Sequence, residues 1–352
     1  MPRLFSTSAL ALAALIATGA SVVAQEKTDF RVAWSIYVGW MPWGYLEDSG
    51  VMDKWADKYG ISVEIVQIND YVESINQYTA GAFDGVSATN MDTLSIPAGG
   101  GVDTTALIIG DYSNGNDAVI LKGEGSLEDL SGKTVNLVEL SVSHYLLARG
   151  LDSVGLSEAD LEGVVNTSDA DMIAAFATDD VEAVVTWNPL VSTILEDAAA
   201  NNIFDSSSIP GEILDLMVVN TETLEANPDF GKALVGAWYE VMGLMAAGNE
   251  DALTAMAEAS GTDLDGYKAQ LGATEMFYDP ANGVAQAESP DLPATMVNVA
   301  EFLFDKGILG VGAPSADFVG VAYPDGSITG DPNNVMFRFN ADYMQMAAEG
   351  AL

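Results

Sequence analysis

The 352-residue chain has no cysteine, a single histidine, His144, and only 12 lysines and arginines against 52 acidic residues. Without cysteine there is neither a disulfide nor a thiolate, so an oxidising compartment leaves the fold indifferent. One histidine and no cysteine cannot assemble a His-based catalytic triad or a zinc site of His/Cys type. The formal net charge of −40 makes nucleic acid and anionic membrane surfaces poor partners, since binding them relies on Lys and Arg to neutralise phosphates. The acids are spread along the whole chain, as on a secreted protein of a salty environment, where salt screens the self-repulsion. The sequence also lacks internal repeats, heptad arrays and low-complexity blocks.

The first residues read as an export signal. Arg3 supplies the positive start, Leu10 to Ala17 the apolar core, and Val22-Val23-Ala24 a small-residue cleavage site, which makes 1–24 a signal peptide. That apolar run is too short to span a bilayer, and no cysteine follows it to carry a lipid, so the mature chain is expected to be soluble with no membrane insertion. At this length it can hold two domains.

The richest stretch is Val32 to Tyr45. It opens as an apolar strand and, past Ser35, is expected to become a loop carrying Tyr37, Trp40, Trp43 and Tyr45 among the breakers Gly39, Pro42 and Gly44. So many rings form either a local mini-core or the lining of a cleft, and loops that follow strands in α/β sheets are where ligands bind.

Downstream, strands are expected at Ile61–Ile68, Gly85–Thr89 and Thr104–Ile109, with helices over Met52–Tyr59 and Tyr71–Ala80 between them. A second, smaller strand–helix alternation begins at Asp117–Lys122. It includes Thr134–Val138, a helix over Val142–Val154 with Ser141 at its N-cap, and Val181–Thr186 before Trp187-Asn188-Pro189. The apolar run Leu214–Asn220 leads the chain back. From Thr221 helices dominate, and the Gly- and Pro-rich tail from Val311 reads as loop. This alternation predicts an α/β fold with helix-covered, mainly parallel sheets.

Several segments carry a family resemblance: Trp34–Tyr45, Gln67–Tyr78, Thr89-Asn-Met-Asp92, Gly110–Asp117, Asn136–Tyr145 and Val185-Thr-Trp-Asn-Pro189. Together they resemble the nitrate/taurine-type solute-binding proteins of ABC importers, and most closely the subgroup named for urea transport that accompanies urea carboxylase genes. The resemblance implies a two-lobed, type II-like periplasmic-binding-protein fold with the ligand cleft between the lobes. Lobe I would comprise 25–116 and 217–352, and lobe II 117–216, with hinges near Asn116 and Leu216. It further implies a periplasmic monomer without cofactor or metal, which closes on a small-molecule ligand and delivers it to an ABC permease and its ATPase.

The residues bear on the ligand. Oxyanion binders need positive groups or helix N-termini, yet the only arginines are Arg3, Arg31, Arg149 and Arg338, and none falls in a candidate site loop. Those loops carry Asp70, Asp92, Asp111, Asp117 and Glu139 beside Tyr37, Trp40, Trp43 and Trp187. Carboxylates beside aromatic faces suit a small planar cation such as guanidinium. Urea or a short amide is the alternative, its carbonyl taking a donor such as Ser141 or Ser143. The expected ligand-binding set is Ser35, Tyr37, Trp40, Trp43, Asp70, Asn90, Asp92, Asp111, Glu139, Ser141, His144 and Trp187. Glu139 is the first acid expected at the ligand, followed by Asp70 and Asp92, while His144 is expected to pack or to line the cleft. The reading from another class, an exported amidohydrolase, would need a metal or a poised acid–base pair, and no enzyme activity is expected.

Overall fold

The computed structural model describes residues 27–310 and 312–352. The export signal expected at 1–24 lies outside the described residues. Among those described, no helix is long and apolar enough to cross a membrane.

Two sheets, each flanked by helices, form the molecule. The nine-stranded sheet runs in the order Ile328–Thr329, Gly320–Ala322, Val335–Phe339, Thr104–Ser113, Leu214–Asn220, Gly85–Thr89, Asp29–Trp34 and Ser62–Gln67, with Thr274–Met276 also paired to Thr104–Ser113. The five-stranded sheet runs Gly163–Asn166, Thr134–Leu137, Ala183–Trp187, Asp117–Lys122, Ala200–Asp205. Strands joined by crossover helices pair in parallel, as Asp29–Trp34 does with Ser62–Gln67. Leu214–Asn220, which returns the chain from the small sheet, runs antiparallel to both of its neighbours. Each sheet is therefore mixed, because the strands that carry the chain between sheets must run against one another.

The chain passes between the sheets at 114–116 and 206–213. Ser206 ties the two crossings together: its hydroxyl pairs with Ser113 Oγ at 2.7 Å and accepts from Gly115 N at 2.8 Å. The returning strand spans Leu214–Asn220, the apolar run expected to lead the chain back.

The local chemistry explains three further differences from expectation. The aromatic stretch is not a loop after Ser35: Val38–Trp40 forms a 3-10 turn and Met41–Asp48 an α-helix with Pro42 in its first turn, where its missing N–H costs nothing. Gly44 is needed there because a Cβ would stand 2.7 Å from the Trp34 ring. Thr104–Ser113 runs four residues beyond the predicted Ile109, since Leu214–Asn220 and Thr274–Met276 supply partners for Asp111 and Tyr112. Asp111 is thus a strand residue. The tail is not loop: Val335–Phe339 pairs in parallel with Thr104–Ser113, and Asp342–Ala348 is helical. Its Val-Met-Phe-Arg-Phe run buries Phe337 and Phe339 on one face, the period-2 signal of a strand.

Candidate functional site

Where the two sheets face each other, a small, partly open cavity of about 10 Å³ lies between Tyr37, Trp40, Tyr71 and Thr89 of the large-sheet unit and Val142 and Trp187 of the small-sheet unit, with Asp117 and Asp215 also in its wall. The rings form a continuous wall. Tyr37 meets Trp40 edge-on with centroids 5.1 Å apart, Trp40 meets Tyr71 at 5.6 Å, and Tyr71 meets Trp187 edge-on at 5.5 Å. Edge-to-face packing of this kind satisfies the quadrupoles of neighbouring rings and holds the remaining faces in fixed directions.

Each ring is set by its own element, and Tyr37, Tyr71 and Trp187 also by a hydrogen bond. Trp187 ends the strand Ala183–Trp187 and donates Nε1–H to Ile36 O at 3.0 Å, crossing from one unit to the other. Val38 N donates to Asn188 O at 3.2 Å alongside it. Tyr71 opens the helix Tyr71–Thr79, accepts from Thr89 N at 3.0 Å and donates its hydroxyl to Asp92 Oδ2 at 2.6 Å. Burial and the nearby acids hold the Tyr37 and Tyr71 hydroxyls well above the usual phenol range, so both remain donors.

Four buried carboxyls surround the cavity, and none has a Lys, Arg or His partner among the described residues. Asp92 Oδ2 accepts from Tyr71 Oη, from Thr89 Oγ1 at 2.9 Å and from Val142 N at 3.1 Å. Burial still outweighs these donors and raises it to about 6. Asp117 accepts from Ser113 Oγ at 2.5 Å and is raised to about 7, first by burial and further by the charge of Asp92. Asp111 accepts from Tyr37 Oη at 3.0 Å and is raised by burial to about 7. Asp215, opposite Asp111 in the strand register, is pushed well above the carboxylate range by burial and then by the charges of Asp111 and Asp117.

Of the residues expected at the site, Tyr37, Trp40 and Trp187 line the cavity. Asp92 and Asp111 sit one layer behind. Trp43 stacks on Trp238 in the core, with centroids 4.7 Å apart. Asn90 is structural: its side chain accepts from Leu214 N at 3.0 Å and donates to Glu212 O at 3.1 Å. Asp70 caps the helix Tyr71–Thr79 by accepting from Glu73 N. Ser141 caps Val142–Ser153, and Ser35 is buried with an unpartnered hydroxyl. His144 Nδ1 accepts from Leu140 N at 3.2 Å while Nε2 faces Glu158 at 3.1 Å, so it packs away from the cavity. Glu139, the first acid expected at the ligand, is exposed and outside the cavity, because the chain turns outward at Leu140, whose φ is +64°.

The sequence reading placed neither Tyr71, Thr89, Val142, Asp117 nor Asp215 in its ligand-binding set. Asp215 had a legible signal: it is the one charge in the otherwise apolar run Leu-Asp-Leu-Met-Val-Val of Leu214–Asn220, and an acid buried in a central strand needs a reason. Among the described residues, no group of three or more His, Cys, Asp or Glu side chains is arranged to hold a metal ion.

A two-lobed α/β arrangement with a cavity between its sheets defines the periplasmic-binding-protein fold, and comparison with known proteins agrees. The chain belongs to the NMT1/THI5-like family, whose model matches residues 54–252. Over 210 residues it is 23% identical to the taurine-binding periplasmic protein of Escherichia coli (strain K12), a match covering 57% of this chain and 64% of that protein, so it spans somewhat under two thirds of that relative's length. Among solved structures, the alkanesulfonate-binding protein SsuA from Xanthomonas axonopodis pv. citri superposes with a TM-score of 0.67 at 16% identity, covering 89% of this chain and all, 100%, of the other. The periplasmic nitrate-binding protein NrtA from Synechocystis PCC 6803 superposes at 0.66 and 12% identity, over 92% of this chain and 89% of that one.

Proposed function

We propose that this chain is an exported, periplasmic solute-binding protein of an ABC importer, which captures guanidinium or a related small cation between its lobes and delivers it to the permease and its ATPase. The observation that carries this reading is the cavity itself: four aromatic rings and two carboxyls in its wall, with no Lys, Arg or His among its lining residues. Each ring face offers a cation roughly 0.5–2 kcal/mol, and a charge-assisted hydrogen bond to a carboxylate contributes about 1.5–3 kcal/mol.

An oxyanion fits poorly. The helix Val142–Ser153 points its N-terminus at the cavity, the kind of place where an anion would bind. Its free Val142 N–H is already taken by Asp92, an anion built into the chain. The ligands in the names of the related proteins, taurine, alkanesulfonate and nitrate, all bear an anionic oxygen group, so this cavity departs from them in sign of charge.

Urea is the close competitor, being planar and rich in N–H, but it gains less from carboxylates because it carries no charge. The deciding experiment is isothermal titration of the chain from Gln25 onward with guanidinium chloride, urea, taurine and nitrate in matched high-salt buffer. Binding of guanidinium alone is expected. Binding of urea alone would mean that the acids are structural, and binding of taurine or nitrate would overturn the charge argument.

A further inference from the structure

Asp111 and Asp215 stand directly opposite each other in the antiparallel pair of Thr104–Ser113 and Leu214–Asn220. Both are buried, and each ends in an Oδ2 that no donor reaches. Two ionised carboxylates so placed would repel each other and leave both oxygens stranded, a cost that burial magnifies. One proton between the carboxyls satisfies both orphaned oxygens at once.

The surrounding donors decide where the charge sits. Tyr37 donates to Asp111 Oδ1 at 3.0 Å. It also lies close enough to Asp215 to influence it, yet no donor among the described residues reaches Asp215 Oδ2. The other ionisable groups facing the pair are Asp117 from the small sheet and Tyr267 and Tyr278 from the helical region, and none is basic. A buried carboxyl with an orphaned oxygen, a carboxylate opposite and no counter-ion favours its neutral form.

We infer that Asp215 stands in the cavity wall as a neutral carboxylic acid: it donates its proton to Asp111, which carries the charge under Tyr37, and offers its other oxygen to an N–H of the bound solute. The offer to the solute rests on the cation reading above; the shared proton does not. The consequence is a requirement for N–H. A fully methylated ammonium could use the rings but would leave this acceptor unpaired, and sites built around a hydrogen bond reject analogues that lack it.

Infrared spectroscopy of the full protein tests the proton directly. A carbonyl stretch of a protonated carboxyl is expected to persist at about pH 8, above the other raised acids, and to vanish in Asp215→Asn. Absence of that band from the wild type, or its survival in Asp215→Asn, would overturn the inference. Titration then tests the role: Asp111→Asn should weaken guanidinium binding at least about tenfold more than Asp215→Asn, and tetramethylammonium should bind at least about 100-fold more weakly than guanidinium. The reverse order of the two variants, or equal binding of the two cations, would refute the assigned roles. A wild type that shows the Asp215 band but binds no cation would sink the cation reading and leave the neutral acid standing.

Discussion

Lowering the pH should weaken cation capture in a way that Asp117 sets. Asp117 begins the strand that enters the small sheet, is 3% exposed, and has one hydroxyl donor and no basic partner. Its carboxyl is raised to about 7 by burial and by the negative charge of Asp92. A cation in contact favours the ionised form, so protons and ligand compete. Taking the value of about 7, the carboxyl is ionised to about 1% at pH 5 and about 90% at pH 8, and apparent affinity should fall about 100-fold between them, roughly 2.7 kcal/mol. The sign is fixed by the competition: affinity rises with pH and levels off above the raised value. Isothermal titration in two buffers of different ionisation enthalpy should register release of about 0.9 proton per cation at pH 6 and about 0.1 at pH 8. Asp117→Asn should bring the affinity at about pH 8 down towards the wild type's value at about pH 5 and leave only the shallower dependence that Asp111 contributes. Equal affinity across this range, or proton uptake on binding, would refute the assignment of Asp117 as the acid that meets the cation.

Three more outcomes follow from the same geometry. Asp92→Ala leaves Val142 N–H without its acceptor across the cleft, so guanidinium affinity should drop about 10- to 100-fold, with small-angle scattering showing a less compact ligand-bound form; unchanged affinity would exclude Asp92 as a latch. Without ligand, the raised carboxyl of Asp117 favours the folded state in full below about pH 4 and loses that advantage as pH rises through about 7, so the melting temperature of the wild type should fall relative to Asp117→Asn between those limits. A parallel course of the two melting curves would count against that shift. Leu140 is 49% exposed and holds φ at +64°, a conformation that costs a side chain about 1–2 kcal/mol. Leu140→Gly should therefore raise the melting temperature by a few degrees, and a lower melting temperature would show that the exposed leucine supports the fold.

Much of the architecture was legible because it is written in periodicity and capping, which are local. Ser62–Gln67 alternates, Leu214–Asn220 is a mainly apolar run, and Ser141 announces the helix it caps. The same locality explains the errors. Pro42 looks like a breaker until its place in the first turn of a helix is known, and the strand Val335–Phe339 was hidden in a Gly- and Pro-rich tail because its partner lies more than 220 residues earlier.

By itself the sequence determined the chemistry available near the cleft: rings in the segment after the first strand, acids in place of arginines, and no cysteine to complicate either. Only the tertiary structure decided which of them meet. Burial and register are properties of distant segments brought together, so Trp43 goes to Trp238, Glu139 goes to solvent, and Asp215 comes opposite Asp111. Whether a carboxyl caps a helix, latches two lobes or holds a proton depends on the donors around it, and those donors are supplied from across the fold.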